Sequence, residues 1–252
     1  MNRSHRIDLN TVSNIRDLGG IINKNGKKIR DRFLIRSSEL SRLDEEEAKI
    51  LYEQIGIKTV FDFRSPHEAH RAPDVIGEDA AYFLNEIATN ESFGVRRDEE
   101  TMKELEALVR QLRESDDDEV AKEFMRHFYR SFVISNFSVS QYAKFLHYVM
   151  RSEDPVLWHC SMGKDRCGIG TALVLELLNV DRDSIREDYL YTNEIYGIYD
   201  TQIESGFEIA DESYLNAFYD EVAKIYGGMS ELFEEMNIDD RELYEFRQRI
   251  LV

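Results

Sequence analysis

Chemistry is concentrated in one segment, His159-Cys160-Ser161-Met162-Gly163-Lys164-Asp165-Arg166-Cys167-Gly168. A cysteine thiolate is a strong nucleophile, and the five residues between Cys160 and Arg166 let the backbone curl with successive N–H groups facing inward. Such a nest holds phosphate, and phosphoryl transfer asks little more than a nucleophile, placement and neutralised oxygens. The same field favours thiolate over thiol, so the Cys160 pKa is expected well below the free value of about 8.5. Arg166 can present a planar fork to two phosphate oxygens, which a lysine could not match. Ser161, Met162, Gly163 and Lys164 are then the residues that bind the substrate. Gly163 permits the tight backbone, and Lys164 adds a second positive charge suited to substrates with more than one phosphate. His159 is expected to orient the loop through its ring nitrogens, and Gly168 to let a helix start close against it.

Such a loop needs a strand before it and a helix N-terminus after it. Pro155-Val156-Leu157-Trp158-His159 predicts the strand, and the Leu- and Val-rich stretch 168–180 the helix. Upstream, Asn25-Gly26 predicts a hairpin turn, and strands are expected at 32–36 and 57–63. Asp44 and Glu47 form a capping-box pattern for a helix that Gly56 ends, and Ser65-Pro66 with Glu68 starts another. From about 99 to 151 the pattern is helical. Met102, Leu105, Val109 and Leu112 form one stripe and Phe124, Phe128 and Phe132 another, with the acidic run 114–119 as a solvated loop between them. Beyond Asp181 three or four amphipathic helices are expected, broken at Gly227-Gly228. The fold class is α/β, in a single domain over 1–252 that includes a helical insert at 99–135.

Composition narrows the partners. The formal net charge of −18 argues against nucleic acid, whose phosphates such a surface repels. An anionic substrate must therefore meet a local positive pocket, for which Lys164, Arg166, Arg64 and Arg16 are the candidates. No apolar run is long enough for a transmembrane segment, and residues 1–10 lack the apolar stretch of a signal peptide. A cytoplasmic location is expected, with export without a signal peptide left open. Cys160 and Cys167, within one short segment, suit a reactive thiol better than a disulfide framework. With His159 they lack the paired spacings of a zinc motif, so no metal and no cofactor are expected.

The segment resembles the His-Cys-x5-Arg signature of the protein tyrosine phosphatase superfamily. With Asn14-Ile15-Arg16-Asp17-Leu18-Gly19-Gly20, Arg36-Ser37-Ser38-Glu39-Leu40-Ser41-Arg42-Leu43 and Asp62-Phe63-Arg64-Ser65-Pro66, it is similar to the bacterial tyrosine and dual-specificity phosphatase family. The resemblance implies a mainly parallel sheet of about four strands flanked by helices, no metal, and a phosphocysteine intermediate. It further implies phosphotyrosine proteins or phosphoinositides as substrates, inorganic phosphate as product, and a helical lid, for which the segment from 99 to 135 is the candidate. Asp165 is the first candidate for the general acid because it lies in the loop, followed by Glu86 and by Asp62 at the end of a strand. Cys167 stands where the family usually has Thr or Ser. That predicts slower phosphoenzyme hydrolysis, and a thiol so near Cys160 could trap its sulfenic acid as a disulfide.

Two other classes fit the same loop. A sulfur or arsenic transferase also uses a cysteine at a strand–helix junction, but would not need Arg166 as a bidentate phosphate clamp. A non-catalytic phosphate-recognition module would not need Cys160.

Overall fold

The strands expected around 57–63 and 155–159 pair side by side, and the strand after Phe33 joins them. The computed structural model describes residues 2–89, 107–112, 118–198 and 206–252. Its strands are β1 (His5–Arg6), β2 (Arg16–Asp17), β3 (Leu34–Ser37), β4 (Thr59–Asp62), β5 (Ala81–Leu84) and β6 (Val156–His159), in the sheet order β1-β2-β3-β6-β4-β5. The pairs β3–β6, β6–β4 and β4–β5 are parallel, giving the expected four-stranded core. The short β1 and β2 extend one edge antiparallel. The third strand starts two residues later than its expected start at Arg32, because Arg32 takes a left-handed φ of 56° and cannot enter the ladder.

Register explains the two-sided core. Ile35, Leu157 and Val60 lie abreast and face one layer, whereas Phe61 and Trp158 face the other, as the two-residue strand period requires. Leu9, Val12, Leu40, Leu43 and Leu51 close the first layer. In the second, Phe145 meets Phe61, Phe63 and Trp158 at ring centroid separations of 5.4, 5.0 and 5.3 Å. Each fully buried aromatic of this kind contributes roughly 1.5–3 kcal/mol.

Local signals set the helix ends. The first helix, α1 (Glu45–Lys49), is capped by Asp44, which accepts from the Glu47 N–H. The reciprocal half of that expected capping box is absent. The Glu47 carboxylate turns instead to the N–H groups of Asn10 and Thr11 and to the Thr11 hydroxyl. A wider turn over Ile50–Ile55 follows and ends at Gly56 with φ 83°. By contrast α2 (Pro66–Arg71) has the full box, with Ser65 and Glu68 satisfying each other's backbone.

Helices α3 (Asp118–Ile134), α4 (Asn136–Arg151), α5 (Asp165–Leu177), α6 (Arg182–Tyr196), α7 (Glu212–Tyr226), α8 (Met229–Glu235) and α9 (Asp240–Ile250) complete the second layer. The helix after the loop begins at Asp165, three residues before its expected start, so part of the signature segment is its first turn. Of the 99–135 insert, residues 99–106 and 113–117 lie outside the described residues, as do Met102 and Leu105 of the first stripe and most of the acidic run. Within the described part, Met125, Tyr129, Phe132 and Val133 of α3 are buried. The Asn25-Gly26 turn forms, with Gly26 at φ 77° and a single bridge between Ile22 and Lys28.

Candidate active site

The loop leaves the C-terminal end of β6, which lies between β3 and β4 in the sheet. Cys160 follows the strand directly and Arg166 lies in the first turn of α5, so sheet and helix together fix the distance between them. Gly163 makes the curl. Its φ is 67°, and a Cβ there would lie 2.4 Å from the Ser37 carbonyl oxygen. Only glycine fits, because both the dihedral and the approach exclude a side chain. Gly168 is close to its neighbours too, since a Cβ would stand 3.2 Å from the Tyr189 ring.

The outside of the loop is held by its carbonyls. Asn14 donates to the Met162 and Gly163 oxygens at 3.1 and 3.0 Å, Arg36 to Gly163 O at 2.6 Å, Tyr196 to Met162 O at 2.7 Å, and the Glu39 N–H to Ser161 O at 3.2 Å. With the carbonyls drawn outward, the main-chain N–H groups from Ser161 to Arg166 donate to no acceptor among the described residues. These are the groups from which the spacing predicts an anion nest.

Arg166 is held ready by Glu68. The two guanidinium ends donate to the Glu68 oxygens at 2.7 and 2.8 Å, and the Ser161 hydroxyl donates to the same carboxylate at 2.7 Å. Burial opposes ionisation of Glu68, but the Arg166 hydrogen bonds and charge outweigh it and hold the carboxyl well below its usual range. Burial lowers the Arg166 pKa, and Glu68 more than restores it. In the sequence Glu68 stood only as a helix-start residue. The same capping-box geometry that fixes α2 aims it at the loop.

Asp165 is the first residue of α5. Its Oδ1 accepts from the Tyr129 hydroxyl at 2.7 Å, while Oδ2 has no hydrogen-bond partner among the described residues. Tyr129 in turn lies 2.8 Å from the Tyr189 hydroxyl, and both phenols are pushed well up by burial, with Asp165 adding to the effect. No sequence signal marked Tyr129 beyond its place in an apolar helix.

Lys164 departs from expectation. Its side chain is fully buried and its ammonium donates to the carbonyls of Phe207 and Ile209, with Asp165 Oδ1 at 3.5 Å. Its charge faces the C-terminal helical layer, because a buried ammonium must find oxygen acceptors and these carbonyls supply them. Met162 is 37% exposed at the rim.

Arg16 and Arg64, expected among the basic residues near the substrate, are both fully buried and committed elsewhere. Arg16 pairs with Asp188 at 3.3 Å and shares that carboxylate with Arg36 at 2.9 Å. Burial opposes the charge on Asp188, yet Arg16 and Arg36 hold the group below its ordinary range. Arg16 itself is brought down to about 10 by burial and then by Arg36. Arg64 pairs with Asp62, Asp74 and Glu39 at 2.8, 2.6 and 2.9 Å.

Asp62 is thereby unsuited to donate a proton. It is fully buried, and against the cost of burial the His159 and Arg64 charges hold its carboxyl below the usual range. His159 sits with Nδ1 3.3 Å from its neighbour's carbonyl, Cys160 O, and Nε2 3.2 Å from Asp74. Glu86 is half-buried on the strand extension, between Asn85, whose N–H donates to Asp62 O, and Ile87, whose N–H reaches Phe63 O. Burial and the Glu68 charge raise its pKa against the pull of Arg166.

Cys160 and Cys167 are free and buried. The Cys167 thiol donates to Trp158 O at 3.6 Å, and burial pushes it up to about 11 although Arg36 pulls the other way. Burial thus works against the thiolate form of Cys167, the form that would capture a sulfenic acid on Cys160.

A family model described as the tyrosine phosphatase family matches residues 7–252. The chain belongs to that family. It is 34% identical over 178 residues to the triple specificity protein phosphatase PtpB of Mycobacterium tuberculosis, covering 66% of this chain and 63% of that protein. A Cupriavidus necator protein that carries a tyrosine-protein phosphatase name is 28% identical over 193 residues, covering 75% of this chain and 64% of the relative. The chain thus matches somewhat under two thirds of the length of these relatives. Among the described residues no helix is long and apolar enough to cross a membrane.

Proposed function

We propose that this protein is a phosphoric monoester hydrolase, a protein-tyrosine and dual-specificity phosphatase that also accepts phosphoinositides and works in the cytoplasm. One observation carries the reading: the run of unpartnered N–H groups from Ser161 to Arg166 curls beside Cys160, with the Arg166 fork braced by Glu68. The family match and the names of both relatives support it.

The step follows from these groups. The Cys160 thiolate attacks phosphorus, the ester P–O bond breaks, and the leaving oxygen takes a proton from Asp165, whose Oδ2 is uncommitted while Tyr129 fixes Oδ1. The nest and Arg166 meet the charge on the equatorial oxygens. Water then attacks the phosphocysteine, giving its proton to Asp165, and inorganic phosphate leaves with Cys160 restored as thiolate.

The test is Cys160→Ser. Turnover of a phosphotyrosine peptide is expected to vanish while binding of inorganic phosphate, a property of the backbone nest, persists. Activity surviving in the pure variant would refute the assignment. Inhibition of the wild type by vanadate separates a phosphatase from a sulfur or arsenic transferase.

A further inference from the structure

Beside the catalytic loop lies a cavity of about 440 Å³, with Ser13, Ser38, Glu39, Arg42, Ser161 and Tyr196 in its wall. Arg42 is exposed and makes no hydrogen bond or ion pair with any described residue. The other arginines around the loop, Arg16, Arg36, Arg64 and Arg166, are all ion-paired. The Ser13 and Ser38 hydroxyls likewise have no protein partner among the described residues. Glu39, the one carboxylate in this wall, accepts from Ser41 and shares the Arg64 guanidinium, 2.9 Å away, with Asp62 and Asp74. Tyr196 spends its hydroxyl on Met162 O and offers only its ring. The cavity therefore presents one guanidinium without a partner among the described residues, two free hydroxyls and a flat wall. That is the donor set of an oxyanion site.

Ser161 belongs to both places. It lies in the catalytic loop, its hydroxyl on the Glu68 that braces Arg166, and it borders the cavity. Two anionic groups bound at once must therefore stand close together on one compact scaffold. An acidic residue of a phosphotyrosine peptide does not meet that condition, because the rigid ring holds the peptide main chain away from the loop. In a chain of net charge −18, a second phosphate also needs a local cation, and Lys164 has turned its own inward.

Resting on the phosphatase reading above, we propose that Arg42, with Ser13 and Ser38, forms a subsite for the second phosphate of a polyol bisphosphate substrate whose first phosphate lies in the Cys160 loop. Arg42 is a specificity residue and does not touch the reacting atoms.

The experiment compares wild type, Arg42→Gln and Arg42→Lys on a soluble inositol bisphosphate, the matching monophosphate, a short-chain lipid with the same bisphosphate headgroup, and a phosphotyrosine peptide. Losing a charge-assisted contact predicts a fall of about tenfold or more in kcat/KM for both bisphosphates with Arg42→Gln. The monophosphate and the peptide are expected to change less than about twofold, as for distant surface positions. Arg42→Lys should recover part of the loss. An equal fall on all four, or none on the soluble bisphosphate, overturns the subsite. A fall confined to the lipid also overturns it, since Arg42 would then be reading the membrane surface. Calorimetric binding of the soluble bisphosphate decides the matter independently of turnover: weaker binding by Arg42→Gln supports the subsite, and equal binding removes it. A wild type that hydrolyses none of the four substrates refutes the phosphatase reading alone, because the binding comparison still stands.

Discussion

Glu68 accepts from both ends of Arg166, from the Ser161 hydroxyl and from the Ser65 backbone, so replacing it perturbs the loop from outside the reacting atoms. Glu68→Gln is the informative change. Glutamine can still serve the capping box, so α2 is expected to remain folded. What disappears is the negative charge and one of two charge-assisted contacts to Arg166. Hydrogen bonds to charged groups contribute about 1.5–3 kcal/mol each. If the lost contact is felt mainly as misplacement of the guanidinium in the transition state, kcat falls by roughly 10- to 100-fold, at about 1.4 kcal/mol per decade. KM should stay level or fall, because a released Arg166 is freer to hold the ground-state phosphate.

Acid unfolding gives a second reading of the same contact. The folded Glu68 carboxyl lies below its unfolded value of about 4.3, so its stabilisation is complete above that pH and is lost as pH falls toward the folded value. Glu68→Gln should therefore lose stability less steeply below about pH 4 than the wild type does. A kcat within about twofold of wild type, together with an unchanged acid limb, would refute the claim that Glu68 positions Arg166.

Gly163→Ala should cost on the order of 2–4 kcal/mol in urea unfolding and abolish activity, since the left-handed φ and the Ser37 carbonyl both oppose a Cβ; a stable, active variant would show that the loop has another shape. Asp165→Asn should reduce kcat far more for an alkyl phosphate than for nitrophenyl phosphate, whose leaving group departs without a proton. Glu86→Gln should leave that ratio unchanged, and the opposite pattern would transfer the acid role to Glu86. Brief peroxide treatment at neutral pH should over-oxidise Cys160 without a Cys160–Cys167 disulfide visible by mass spectrometry, because the buried Cys167 thiol, pushed up to about 11, is rarely a thiolate.

The parallel core was legible because its strands are continuous apolar runs, and the loop because Cys160, Gly163 and Arg166 each answer a separate geometric demand. Strand ends were less so. Nothing in the composition of 32–36 reveals that Arg32 takes a left-handed turn. The supporting charges were hidden for a different reason. Asp188 meets Arg16 and Arg36 from a helix more than 150 residues away, and such a pair has no local periodicity to betray it. Glu47 and Glu68 carried the same capping pattern in sequence, yet only Glu68 closed its box, because the chain at Asn10 and Thr11 competes for Glu47. Lys164 was misjudged because proximity in the chain fixes where a backbone goes and leaves a long side chain free to choose a side.

That choice sets how far the protein can be divided. Among the described residues the Lys164 ammonium meets, besides Asp165, the carbonyls of Phe207 and Ile209, so the signature loop and the segment leading into α7 share one buried charge. A fragment cut after α6 would keep every residue of the signature and the whole parallel sheet. It would also carry a lysine stripped of both carbonyl acceptors beneath the loop, at a cost large enough to reshape it. The smallest piece that keeps the loop intact is therefore defined by a side chain that points away from it, and a signature transplanted to another scaffold would have to bring a substitute for those two carbonyls with it.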